Sequence, residues 1–258
     1  MNSHRSADPR HRAGDRPRFR SLNSPRWRST VAAIAAIAAA WTIAGGSRAH
    51  AADSTPLFPD QGAPLGWLVR SWNDVSHPAP PSAHWVVTDG ILRGSVPRGT
   101  WLVSPREYGD FRLEFEFRLG ERGQGGVGLR MPLRGDPATE GLQIQMVDPR
   151  HFSTNLTAKP WEKTGALYRA VAPSAEAYRP LEWNRYSIEC VGHQLKVVLN
   201  GKKVIDMDLS KSPEDSEPAR GKPLAERPTR GRIGFLEVSR GTGQLEIRNA
   251  RIRELNSR

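Results

Sequence analysis

Gln143 and Gln145 are one residue apart in Gly141-Leu142-Gln143-Ile144-Gln145-Met146-Val147. In an extended chain alternate side chains share a face, so both amides point the same way. Each offers a donor and an acceptor, which is hydrogen-bonding chemistry, not proton transfer. The bland alternative is the solvated face of an antiparallel strand. Tryptophan is the second signal. Six of the eight indoles follow the N-terminal region, at 67, 72, 85, 101, 161 and 183. Aromatic rings stack on the faces of sugars, and they also fill sandwich cores. Trp101 and Trp161 adjoin loops and are the ligand candidates by that criterion. Other chemistries lack their signatures. There is no serine nucleophile elbow, phosphate loop or calcium loop. No pair of glycosidase carboxylates can be picked from spacing. The one cysteine, Cys190, rules out an internal disulfide and any Cys-based zinc spacing; it sits in an alternating run and reads as a small buried hydrophobe. No metal-ligand constellation is expected, and the cofactor is left open.

The chain of 258 residues carries a net charge of +11, but the charge is unevenly placed. Residues 1–52 hold nine arginines and two aspartates, a net of +7, which leaves +4 on the remaining 206 residues. A nucleic-acid partner needs a concentrated basic face, and no basic run follows residue 53. The N-terminal region has the order of a signal peptide instead. A basic stretch leads into an apolar run of about 15 residues, Thr30 to Ala44, short for a membrane span. Gly45-Gly46 breaks the run, and Ala49-His50-Ala51 supplies small residues for cleavage after Ala51 or Ala52. Residues 1–52 are therefore expected to be a leader, with general secretion to the periplasm or the exterior and no stable membrane span after cleavage. An uncleaved anchor is the alternative. Residues 53–258 are expected to form one domain.

Beyond the leader the period is two rather than 3.6. Phe111 to Leu119 alternates apolar and charged residues for nine positions, placing Phe111, Leu113, Phe115, Phe117 and Leu119 on one face. Further strands are expected over 141–147, 186–191, 195–199, 202–209, 232–238 and 244–255. Shorter ones are expected over 67–72, 85–92, 100–104 and 127–131. Asn200-Gly201 is a tight-turn signal. No helix of ten residues is expected. Residues 149–163 read as a polar loop and 210–230 as a long exposed insertion. Many short strands between turn signals specify an all-β sandwich of two antiparallel sheets, a jelly roll at this length.

The order of motifs carries a resemblance. It runs through Trp85-Val86-Val87-Thr88-Asp89-Gly90, then Tyr108-Gly109-Asp110-Phe111-Arg112-Leu113-Glu114-Phe115, then Gly126-Val127-Gly128-Leu129-Arg130. Gly141 to Asp148, Thr164-Gly165-Ala166-Leu167-Tyr168, Asn200-Gly201 and Gly231-Arg232-Ile233-Gly234-Phe235 follow. Over residues 55–255 the chain resembles the 3-keto-disaccharide hydrolase (3-keto-glucoside lyase/hydratase) domains. Those have a concanavalin- or glucanase-like jelly-roll fold and are common in secreted bacterial proteins. The family's Gly-x-Glu-x-Gln-x-x-Asp reads here with Gln143 at the carboxylate position, and its Asn-Ser-Gly reads Gln124-Gly125-Gly126.

The resemblance implies a carbohydrate or glycoside partner oxidised at carbon 3. The ketone acidifies the carbon-2 proton, a base removes it, and the group on carbon 1 leaves. Such a site needs a base, a group for the enolate and an acid. Arg130 would stabilise the enolate; Asp148, Glu140 or Glu237 would be the base; His151 or Tyr168 would be the acid. Gln143 and Gln145 would hold hydroxyls, with Tyr168, Trp101 and Trp161 against the ring. Each has a structural alternative: a salt bridge for Arg130, a turn initiator for Asp148 before Pro149, a loop position for His151, packing for Tyr168. The amide at 143 binds but takes no proton, so the alternative function is a non-catalytic carbohydrate-binding sandwich.

Overall fold

The computed structural model describes residues 54–94, 99–152, 157–211, 222–239 and 243–255. The expected leader and its cleavage site lie outside the described residues, which belong to one compact unit. Among them are thirteen strands: β1 (Thr55–Pro56), β2 (Leu68–Ser71), β3 (Trp85–Thr88), β4 (Ile91–Gly94), β5 (Thr100–Tyr108), β6 (Phe111–Leu119), β7 (Gln124–Met131), β8 (Leu142–Val147), β9 (Asn184–Val191), β10 (Gln194–Leu199), β11 (Lys202–Asp208), β12 (Gly231–Glu237) and β13 (Leu245–Glu254). A four-residue helix, α1 (Pro137–Glu140), precedes β8.

All pairings are antiparallel. An eight-stranded sheet runs β11-β10-β9-β6-β13-β4-β3, with β1 also on β13, and a five-stranded sheet runs β2-β5-β12-β7-β8. The two pack as the jelly-roll sandwich the alternation predicts. The inner face of β6 packs with Tyr186, Ile188 and Cys190 of β9 against Val127 and Leu129 of β7 and Leu142, Ile144 and Met146 of β8. Burial of this kind supplies the main driving force for a sandwich. Burial also pushes the Cys190 thiol up to about 12, so it is inert.

The outer face of the five-stranded sheet, turned away from that core, is not polar throughout. Trp101 and Val103 of β5, Met131 of β7 and Leu236 of β12 form a second apolar cluster there with Val75. Loops cover every terminal strand. Gly62 exchanges two backbone hydrogen bonds with Val87 of β3 (both 2.8 Å), Ala79 donates to Val69 of β2, Tyr168 donates to Gln143 of β8, and Ser174 donates to Val204 of β11.

Two expectations change. The run 85–92 is two strands, because Asp89 and Gly90 both take positive φ (52° and 71°) and turn the chain into a hairpin. The 210–230 stretch is not wholly exposed: within 222–230, Leu224 and Arg227 are buried. Arg227 donates to the carbonyls of Ala138 (3.1 Å) and Gly141 (2.8 Å), capping the end of α1, and that bonding pulls the segment inward. No helix among the described residues is long and apolar enough to cross a membrane.

Candidate functional site

A pocket of about 570 Å³ opens over the outer face of the five-stranded sheet, a volume suited to a small-molecule ligand. Its lining includes Gln143, Tyr168, Arg169, Asp136, Gln124 and Trp72.

The floor is made by β7 and β8. Gln143 and Gln145 share the outer face as their spacing predicts, and Gln143 Nε2 donates to Gln145 Oε1 at 3.0 Å. That leaves the Gln143 carbonyl oxygen as the group with acceptor capacity to spare. Gln145 is buried and outside the lining, and among the described residues its Nε2 has no hydrogen-bond partner. The facing residue on β7 is Gly126, paired with Gln145. A Cβ there would lie 2.9 Å from Gln143 Nε2, so the glycine makes room for the amide. Tyr186 donates its hydroxyl to the Gln145 carbonyl (2.9 Å) from the core side and fixes the strand from below.

β8 is a terminal strand, and its free edge is taken by the segment after the polar loop. Gln145 N–H donates to Ala166 (3.0 Å), Gly165 N–H to Gln145 (3.1 Å) and Tyr168 N–H to Gln143 (2.8 Å). Thr164 Oγ1 both accepts from and donates to the Val147 backbone at 2.7 Å. This pairing delivers Tyr168 and Arg169 next to Gln143. Arg169 has φ of 60°, uncommon for a side chain of its size, and its guanidinium lies over the Tyr168 ring at 5.0 Å.

The carboxylate of the pocket is Asp136, which the sequence reading did not single out. It is the N-cap of α1: Oδ1 accepts from Ala138 N–H at 2.9 Å, with Pro137 at the first helical position. The turn before it is tied down by Asp74, which accepts from Gly135 N–H at 2.9 Å. Burial pushes the Asp136 carboxyl above the usual aspartate range; the Ala138 N–H and the nearby Arg169 and Arg227 offset only part of that rise. The Asp136 carboxyl therefore keeps its proton to a higher pH than an exposed aspartate does. In the sequence Asp136-Pro137 reads only as a helix start, so the one signal present was structural.

Of the residues expected from the sequence, the structure brings Gln143 and Tyr168 to the pocket, with Gln145 adjoining. The others lie elsewhere, each for a physical reason. Arg130 is 1% exposed; its guanidinium donates to the carbonyls of Gly109 and Gly192 and pairs with Asp110 at 3.3 Å, tying the β5–β6 and β9–β10 turns together. Asp148 is buried and caps the turn Pro149–His151, accepting from Arg150 N–H, Nε and Nη2. Burial alone would raise its pKa, but the Arg150 bonds hold it below the usual range. His151 sets Nδ1 against the Arg122 carbonyl at 3.1 Å. Glu237 points inward between Leu236 and Val238; its two oxygens accept from Ser239 and Leu245 N–H, both at 2.6 Å. Glu140 pairs with Lys222 (3.5 Å).

The two tryptophans serve indirectly. Trp101 has no exposed surface, so it stacks on no ligand; its indole N–H donates to the Trp72 carbonyl at 3.0 Å. Trp161 is half-buried and outside the lining, and its carbonyl accepts from Arg169 N–H at 3.3 Å. Each holds the backbone of a residue that does line the pocket. Among the described residues no group of three or more His, Cys, Asp or Glu side chains is placed to hold a metal ion.

A family model described as a 3-keto-alpha-glucoside-1,2-lyase-like domain matches residues 53–253. Among solved structures, the chain is similar to a candidate glycosyl hydrolase of Parabacteroides distasonis ATCC 8503, with 29% identity and a TM-score of 0.62 over 78% of this chain and 99% of that one. A second candidate glycosyl hydrolase of the same organism matches with 21% identity and a TM-score of 0.64 over 81% and 97% of the two chains, a likeness of fold. No curated protein matches the sequence.

Proposed function

Because this chain belongs to the 3-keto-alpha-glucoside-1,2-lyase-like domain family, we propose that its outer-face pocket takes a glycoside oxidised at carbon 3 and opens the carbon-1 bond by elimination, with Asp136 as the base. The carbon-2 hydrogen is acidified by the adjacent ketone. Its proton passes to the Asp136 carboxylate, and the electron pair it leaves forms the enolate. Arg169 supplies positive charge for the enolate oxygen. The enolate collapses to the 1,2-alkene and expels the carbon-1 substituent, whose oxygen takes a proton back from Asp136. The products are an unsaturated 3-keto sugar and an alcohol, and water then adds across the double bond. No electrons enter or leave. Gln143 accepts a bond from a sugar hydroxyl and Tyr168 flanks the ring.

The observation that carries this reading is Asp136, the one carboxylate among the described lining residues, with a raised pKa and Arg169 nearby. One observation favours a second reading, a sugar-binding sandwich without catalysis: position 143, a carboxylate in the family pattern, is an amide here. The test is aglycone release from a 3-keto glucoside and from its unoxidised parent. Release from the keto form alone is expected, lost by about 10²- to 10⁴-fold in Asp136→Asn. Because the base must be ionised, the rate should fall as pH drops through a pKa above the ordinary aspartate value. Saturable binding without release selects the second reading, and release that survives Asp136→Asn removes the aspartate from the mechanism.

Export belongs to the same proposal, since residues 1–52 have the order of a signal peptide. N-terminal sequencing of protein recovered from outside the cytoplasm should begin at Ala52 or Asp53; a start at Met1 would reject cleavage.

A further inference from the structure

Trp72 is the large apolar side chain left uncovered at the pocket. It is 53% exposed, while the other large hydrophobics on that face, Trp101, Val103, Met131 and Leu236, are buried. Exposure of an indole costs hydrophobic free energy, and a loop residue in that position is ordinarily free to turn away. The main chain of Trp72 is not free to do so. Its N–H donates to the Gly99 carbonyl at 3.0 Å, and its carbonyl accepts from the buried Trp101 indole at 3.0 Å. Its ring lies on Gly99, another lining residue: a Cβ at that position would sit 2.6 Å from Trp72 Cδ1. Gly99 also has φ of 90°, a conformation glycine takes without strain. Two bonds therefore fix the main chain of Trp72, and its exposed ring is seated on Gly99 at the rim of the pocket. A rigid aromatic surface beside hydrogen-bonding groups recognises a flat or C–H-rich ring by stacking.

We infer that Trp72 is the platform of a second subsite, which receives the group attached to carbon 1: an aryl ring or a second sugar ring. The oxidised sugar lies over Gln143 near Asp136, and its leaving group extends onto the indole. The pocket thus selects glycosides with a ring on both sides of the bond over those with a small alkyl group. This inference rests on the reading of the pocket as a glycoside site, and it does not require that the bond be broken.

Binding separates the two. Isothermal calorimetry on the full chain compares a methyl glucoside with the 4-nitrophenyl glucoside, in both the 3-keto and the parent forms. The wild type should prefer the aryl glycoside about fivefold to tenfold. Trp72→Ala should bring the ratio of affinities close to one, and Trp72→Phe should retain most of it. Gly99→Ala keeps the indole but drives it off its seat, so it should reproduce Trp72→Ala; thermal melting establishes that each variant is folded, and if Gly99→Ala is not, the contrast between Trp72→Ala and Trp72→Phe carries the test. A ratio unchanged in Trp72→Ala overturns the subsite. No binding of either glycoside by the wild type overturns the subsite together with the glycoside reading. Binding with the expected ratio but no bond cleavage leaves the subsite standing and rejects the elimination alone.

Discussion

At the scale of single residues, Asp136 works against the stability of the fold it sits in. A carboxyl whose folded pKa is raised binds more protons in the native state than in the unfolded state over the window above 3.8. Stability therefore falls as pH rises across that window, and the deficit persists at neutral pH. Asparagine keeps the N-cap acceptor for Ala138 and removes the half-buried charge. Asp136→Asn should then melt no lower than wild type at pH 7, and higher if the burial cost dominates, with the difference vanishing below pH 3.8. A clearly lower melting temperature at pH 7 would mean that attraction to the nearby Arg169 and Arg227 charges outweighs burial. This is the stability–function opposition expected of a working acid or base. The sequence made Gln143 and Gln145 legible because their period of two is local. It did not make Asp136 legible, because Asp-Pro at a helix start is common and the charges near it, Arg169 and Arg227, lie 33 and 91 positions away. The same distance effect hid the partners of Arg130, the carbonyls of Gly109 and Gly192; those of Glu237, the Ser239 and Leu245 N–H groups, are near in sequence but are backbone groups that no residue type announces.

At the scale of elements, the strands were readable wherever apolar and polar residues alternate, as in β6, and wherever a turn has its own chemistry, as at Asn200-Gly201. The segment 164–169 was not readable, since its conformation comes from the open edge of β8 and not from its own pattern. The glycines of β7 show how an element shapes the site. Gly126→Ala would press on the far end of the flexible Gln143 side chain, at 2.9 to 3.1 Å. Its stability cost should be small, within about 1 kcal/mol, while sugar affinity by calorimetry falls severalfold; unchanged affinity would show that Gln143 is not a contact. The outer face of the eight-stranded sheet is built differently. Glu246 of β13 accepts from Arg93 of β4 and Arg118 of β6, joining three strands. Burial alone would raise its pKa, and the two arginines hold it below the usual glutamate range instead. Its contribution is complete above pH 4.5, the ordinary glutamate value, and is lost as pH falls through the lowered one. Glu246→Gln should cost about 1 kcal/mol by urea titration at pH 7, kept small because both arginines are partly exposed to salt, and nothing at strongly acidic pH.

At the scale of the whole molecule, the two sheets divide the work. One covers its outer face with paired charges, and with Arg248 and Arg118 over Trp183 at 4.0 and 4.9 Å; the other leaves room for the pocket. The class of fold follows from strand count and spacing, but the order of strands does not. β6 lies between β9 and β13, which begin 65 and 126 positions after β6 ends. Those pairings are set by the shared core rather than by any local signal. The loops over the terminal strands have a consequence for colloidal behaviour. Gly62, Ala79, Tyr168 and Ser174 each occupy backbone groups that a second molecule would need for edge-to-edge addition. The folded protein therefore offers no ready template for cross-β growth at these four edges. Concentrated solutions should remain dispersed and silent to thioflavin T until the sandwich itself is unfolded.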